Sequence, residues 1–298
     1  MRVLVFVTHT SNCEPFWRSL EAIGHEVQVA QYDDRPHDRH DELIELARVS
    51  KPDFMVYVGA YEPSHGRPVP SPPTLQRLRA VAPLILICGD AADYPWWPVL
   101  EEYHAKECFT TMVAIDGSFE TPIASFAEGI TLLTPTDPRS FNPLPWDQRT
   151  IKLGMIGGTG HRDKLIRELQ SRSLIDFRQG PVGRSYNDFA QIMDQTKLTL
   201  NCAETGTGAH LHVKGRVIEA GFAGSAVLEV RNSPLNKWFS PGEDYIEYDS
   251  LEDILNLNRD VPDFAIKAVA EKFHKKMVTE HSPEVFWGKV LTKAGLHV

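Results

Sequence analysis

Cysteine is scarce, and none of the four residues (Cys13, Cys88, Cys108, Cys202) is spaced as a C-x-x-C pair. That removes the usual zinc frameworks and a disulfide scaffold, and makes a reducing, cytoplasmic setting the default expectation. Long apolar runs are also missing. The first, residues 3–7, is too short for a secretion signal or a membrane span, and no later run reaches spanning length. Excess positive charge is lacking: 31 Lys and Arg stand against 40 Asp and Glu, for a net charge of −9. Such a chain does not attract long nucleic acid by its overall field. The 21 Pro and 20 Gly are dispersed, so no low-complexity tail forms. What remains is an ordinary globular composition, 42% hydrophobic and 24% charged over 298 residues, long enough for two domains with separate cores.

The apolar pattern alternates. Residues 3–7, 26–30, 54–58 and 84–88 read as strands, and 16–23, 41–49 and 72–80 as helices; Gly24 supplies a helix stop, and 8–12 reads as a polar loop. This rhythm predicts a parallel, doubly wound sheet. A proline-dense stretch follows, with Pro135, Pro138, Pro143 and Pro145, which reads as a semi-rigid linker and hinge over 131–150. The pattern then restarts: strands at 151–156, 198–202 and 226–230, and helices at 162–171, 189–195, 213–222, 251–257, 265–278 and 283–291. The expected organisation is an N-terminal Rossmann-like domain over 1–130 and a C-terminal one over 151–280. A final helix in 281–298 would turn back toward the first domain. Ligands of such sheets sit beyond the carboxyl ends of the strands, so a cleft between two facing domains is the natural site.

Two segments carry charge suited to a phosphate. Gly157-Gly158-Thr159-Gly160 lies between a strand and a helix that opens with Arg162 and Lys164. Free amides and the positive helix end can cradle an anion there, and the two cations suit a pyrophosphate. The segment matches neither the G-x-G-x-x-G fingerprint nor a Walker loop. Further on, Lys214 and Arg216 precede Glu219, and Arg216 and Glu219 are three apart on one helix face. They can pair with each other, or Glu219 can accept the hydroxyls of a ribose while the cations meet phosphate.

The order of these elements resembles the CgeB-like glycosyltransferases, relatives of the "glycosyl transferases group 1" family. The resemblance is carried by Pro135–Pro143, Gly157-Gly158 with His161-Arg162, Leu198–Asn201, Arg216–Ala220 with Ala223-Gly224, Trp238–Asp244, Tyr248–Asp253, and His281-Ser282-Pro283 with Phe286-Trp287. It covers the first part of the chain only in architecture. It implies a GT-B fold and a metal-independent, hexosyltransferase-like transfer from a nucleotide-diphosphate sugar such as a UDP-sugar. No cofactor would be needed, and the acceptor would be a glycan, small molecule, protein or modified base. The donor would be held by Gly157, Gly158, Thr159, Gly160, Arg162, Lys164, Asn201, His212, Lys214, Arg216 and Glu219. The chain departs from the family at Leu211, where an earlier Glu is common, with His210 and His212 on either side. It departs again at Trp287 and Lys289, where a terminal Arg is expected.

On the acceptor side, His9 is a candidate general base, with Asp90 or Asp93 as its partner or, for Asp93 above all, as an acceptor contact. Trp96 and Trp97, in Tyr94–Pro98, are candidates for stacking on a sugar ring. His210, His212 and Glu204 lack a well-spaced further ligand, so no metal site is expected. Two rival functions remain: an NAD-dependent oxidoreductase using the Gly157 turn, and a catalytically silent nucleotide-sugar-binding module.

Overall fold

The computed structural model describes residues 1–7, 10–31, 40–59, 70–158, 162–180 and 185–296. The chain divides into two compact units, one formed by 1–137 with 283–298 and the other by 138–282.

The first unit is built on β1 (Arg2–Val7), β2 (Glu26–Gln31), β3 (Phe54–Val58), β4 (Leu84–Cys88), β5 (Thr111–Ala114) and β6 (Gly129–Thr131). All neighbours are parallel and the order is β2-β1-β3-β4-β5-β6. The β3 and β4 runs, FMVYV and LILIC, are buried along their whole length, as expected of central parallel strands covered on both faces. The helices are α1 (Thr10–Ala22), α2 (His40–Ser50), α3 (Pro72–Arg79) and α4 (Trp97–Ala105). One core joins Leu4 and Phe6 to Leu43 and Ile44, to Leu75 and Leu78, and to Leu84 and Leu86.

The sequence pattern misses α4, β5 and β6. Pro95 and Pro98 make 94–98 read as a stiff loop, yet Tyr94–Trp96 forms a single 3-10 turn that runs directly into α4. Proline is tolerated in a first turn, where its missing N–H has no intrahelical acceptor.

The second unit contains β7 (Ile151–Gly157), α5 (Asp163–Ser171), β8 (Asp176–Gln179), α6 (Tyr186–Asp194), β9 (Thr196–Leu200) and α7 (Gly215–Phe222). After these come β10 (Ala226–Val230), β11 (Ile246–Tyr248), α8 (Leu251–Asp260) and α9 (Asp263–Glu280). Its sheet is also parallel, in the order β11-β10-β9-β7-β8. From β7 the chain winds first to one side and then to the other, so the topological switch lies between β7 and β9. Helices α7 and α9 approach closely: a Cβ on Gly221 would stand 2.7 Å from Met277. Capping boxes start α6 at Ser185 and Asp188 and α8 at Ser250 and Asp253.

The proline-dense stretch is built into the units rather than strung free. Leu132 and Leu133 are buried before the division, and Phe141, Trp146 and Arg149 after it. Arg149 donates to four backbone carbonyls: Leu144 at 3.0 Å, Thr196 at 2.8 Å, Gly224 at 2.8 Å and Ala223 at 2.9 Å. A cation at the last carbonyls of α7 is favoured by the helix dipole. The last helix, α10 (Pro283–Lys293), belongs to the first unit. Its Trp287 is fully buried and donates from Nε1 to Ser19 Oγ at 2.8 Å.

Candidate functional site

The carboxyl ends of β7 and β9 flank the switch point of the second sheet, and a set of polar side chains converges on them. Arg216, second residue of α7, turns its guanidinium to these ends. Its Nε donates to the carbonyl of Ile156 and its Nη1 to Asn201 Oδ1 at 3.0 Å. Gly157 makes this possible. Its φ is +142°, and a Cβ there would collide with the Arg216 guanidinium. The Asn201 amide in turn donates to Glu229 Oε2 at 2.7 Å, and the other Glu229 oxygen accepts from the Val230 N–H at 2.9 Å. The Tyr248 hydroxyl donates to the Asn201 carbonyl at 2.9 Å.

Burial sets the electrostatics. It brings Arg216 down to about 10, with Arg162 adding like-charge repulsion. It raises Glu229 to about 7, against the opposing pull of the Asn201 amide and the Val230 N–H. Glu219, also on α7 and half-buried, is raised to about 7 by burial, held back by Arg216 and by the Tyr186 hydroxyl.

Beyond β9 the chain folds back on itself. The Thr205 N–H donates to the His210 carbonyl and the His212 N–H to the Ala203 carbonyl, each at 2.8 Å, with an antiparallel bridge between Glu204 and Leu211. Arg162 lies along this hairpin, donating to the Glu204 carbonyl at 3.0 Å with its Nε 3.7 Å from the Glu204 carboxylate. His212 is buried, and burial, Lys214 and Arg162 together push its imidazole well below the usual range, so it is neutral. Lys214 is the N-cap residue of α7, with no side-chain cap bond. Lys164 is exposed on the first turn of α5, and Gly158 is exposed after β7. Among the described residues, no group of three or more His, Cys, Asp or Glu could hold a metal ion.

Gly157, Arg162, Asn201, His212, Lys214, Arg216 and Glu219 therefore gather at one end of the second sheet. Thr159 and Gly160, and His9 in the first unit, lie outside the described residues. In the first unit Asp90 follows β4 in a left-handed conformation, with φ +53°, and Asp93 is buried. Trp96 packs against the core, Trp97 is half-buried and stacks edge-on with Tyr94 at 4.8 Å, and Tyr94 is the exposed ring of the set. Trp96 and Trp97, the two candidates for stacking, are thus both half-buried at the start of α4.

Sequence reasoning assigned no site role to Glu229, Tyr186, Tyr248 or, in the first unit, Asp116. Burial raises Asp116 to about 6 although the Ala92 and Ser118 N–H groups donate to it at 2.9 and 3.2 Å. The available signal for Glu229 was a lone acidic residue inside the apolar run AVLEV.

A glycosyl transferase-like family model matches residues 162–291, most of the second unit. Curated protein sequences give no match. Among solved structures, an alpha-glucosyltransferase bound to UDP is similar at TM-score 0.64 and 10% identity, over 99% of this chain and 100% of that one. The Anabaena protein HepE, bound to UDP and glucose, is similar with the same four values. An alpha-glucosyltransferase with UDP and a 13-mer DNA containing an HMU base reaches TM-score 0.57 at 12% identity, over 99% of both chains. The two parallel sheets and the likeness to these structures give the chain a two-domain, Rossmann-like GT-B fold, and its residues 162–291 match the glycosyl transferase-like family.

Proposed function

We propose that the chain transfers a hexosyl group from a UDP-sugar, with the donor held by the second unit at the switch point between β7 and β9. The observation that carries this is the Arg216 guanidinium, pinned between the Ile156 carbonyl and Asn201 and lying over Gly157. A planar cation fixed at two points matches a phosphate oxygen pair. The solved structures of similar fold bound to UDP point to the same base and diphosphate.

The chemical difficulty of the step is the nucleoside diphosphate, which gains negative charge as the bond from the anomeric carbon to oxygen breaks. Arg216, Arg162, Lys214 and the first amides of α7 supply preorganised positive potential for it. These groups provide the charge that a metal would otherwise bring, so we read the transfer as metal-independent. Glu219, beside Tyr186, is assigned to the ribose hydroxyls; either form of the carboxyl can accept from a diol. On the acceptor side the reading keeps His9 as the base that takes the acceptor proton, Asp90 as its partner, and Asp93, Trp96 and Trp97 as acceptor contacts. The four cysteines are buried thiols, which supports a reducing, cytoplasmic setting. No described helix is long and apolar enough to cross a membrane.

Calorimetric titration with UDP, with NAD as control, tests the donor assignment. The wild type should bind UDP, and Arg216→Ala and Glu219→Ala should each weaken binding by about tenfold or more. Unchanged UDP affinity in both variants, or binding of NAD instead, would overturn it.

A further inference from the structure

We propose that Glu229 is a positioning residue for phosphate recognition, which it serves by setting the Asn201 amide that aims Arg216. This rests on the donor assignment above and extends it to a residue that touches no donor.

Glu229 is a costly residue to place where it is. It lies fully buried in β10, next to Leu228, which packs into the apolar core. A buried carboxyl demands hydrogen bonds, and Glu229 has them from the Asn201 amide nitrogen and from its neighbour's N–H, at 2.7 and 2.9 Å. Had this position served packing alone, an aliphatic side chain would fill it without that demand.

The consequence falls on Asn201. Its side chain has a donor end and an acceptor end of nearly equal shape, and only surroundings decide which way it points. Each Glu229 oxygen accepts from an N–H, one from Val230 and the other from Asn201, so Glu229 holds the NH2 end of Asn201 and the oxygen end is left facing Arg216. Arg216 can only donate, and it takes that oxygen at 3.0 Å. Its second anchor, from Nε to the Ile156 carbonyl, then fixes the plane of the guanidinium over Gly157. Remove the carboxylate, and the Asn201 amide is free to present its NH2 to Arg216. Two donors would then face each other, and the guanidinium would lose one of its two anchors.

The relay predicts a loss specific to phosphate. In Glu229→Leu, the dissociation constant for UDP should rise about tenfold or more, while that for uridine, which has no phosphate, stays unchanged. Glu229→Gln can still offer an oxygen to the Asn201 amide and should stay within about threefold of wild type for UDP. Asn201→Ala removes the bridge without emptying the β10 position and should show the same selective loss, which covers the case in which Glu229→Leu does not fold. Arg216→Ala is measured alongside. If Arg216→Ala loses UDP affinity but Asn201→Ala and the folded Glu229 variants keep it, the relay is wrong and the donor assignment stands. Equal losses of UDP and uridine would also overturn the relay, since they mark a structural role. A wild type that binds no UDP would overturn the donor assignment and the relay with it.

Discussion

Replacing Gly157 by alanine tests the site through one methyl group. The backbone at Gly157 has φ +142°, a region that side-chain-bearing residues rarely occupy, and the new Cβ would collide with the Arg216 guanidinium. Backbone strain of this kind costs about 1–3 kcal/mol. The displaced guanidinium would also lose its bonds to the Ile156 carbonyl and Asn201, and a hydrogen bond from a charged group is worth about 1.5–3 kcal/mol. Together these predict that the second unit loses roughly 4–9 kcal/mol and that UDP binding weakens by about tenfold or more. Because the arginine is flexible, the two costs can be separated by a double-mutant cycle. In an Arg216→Ala background the Gly157→Ala penalty should fall to the backbone term alone. Urea unfolding followed by circular dichroism gives the stabilities, and calorimetry gives the affinity. An equal Gly157→Ala penalty with and without Arg216 would refute the reasoning, because it would show that the methyl group and the guanidinium do not compete for space.

Other consequences follow from buried polar groups and from packing. Arg149→Ala leaves four backbone carbonyls without their donor and should destabilise the second unit by about 3 kcal/mol or more, read as a lower urea midpoint. Glu219 and Glu229 both stand at about 7 in the folded chain, against about 4.3 for an unfolded glutamate. The native state thus holds protons that the unfolded chain releases, so their contribution to stability is full below about pH 4.3 and is lost as pH rises through about 7. Thermal midpoints measured from pH 5 to pH 8 should show this decline, and Glu229→Gln should make it shallower. In the first unit, Trp287→Ala empties a fully buried site and breaks the bond to Ser19; it should cost about 3–5 kcal/mol and lower the thermal midpoint of that unit.

Strands buried on both faces were the most legible part of the fold. Runs such as LILIC at 84–88 contain little but large apolar residues, and nothing else explains them. The short strands were not readable. β8 reads DFRQ and is partly exposed at the sheet edge, and β11 has three residues, so neither offers a hydrophobic period. At the site, Arg216 and Glu219 could be picked out because a helix brings charges three apart to one face. Which groups they pair with could not be read, although Asn201 was itself a candidate, since Ile156, Asn201 and Tyr186 lie on or beside other elements of the sheet. Glu229 was missed for a related reason: a lone carboxylate in the run AVLEV stands out, but its partner, Asn201, is named only by the fold.

The central claim is that Arg216 and the groups around it bind the donor's diphosphate. Its most direct measurement is the salt-dependent affinity of wild type and Arg216→Ala for UDP, UMP and uridine by calorimetry. The account predicts affinities in the order UDP, UMP, uridine for the wild type, with the advantage of UDP over uridine collapsing by about tenfold or more in the variant. The same UDP-to-uridine ratio in both proteins would contradict it.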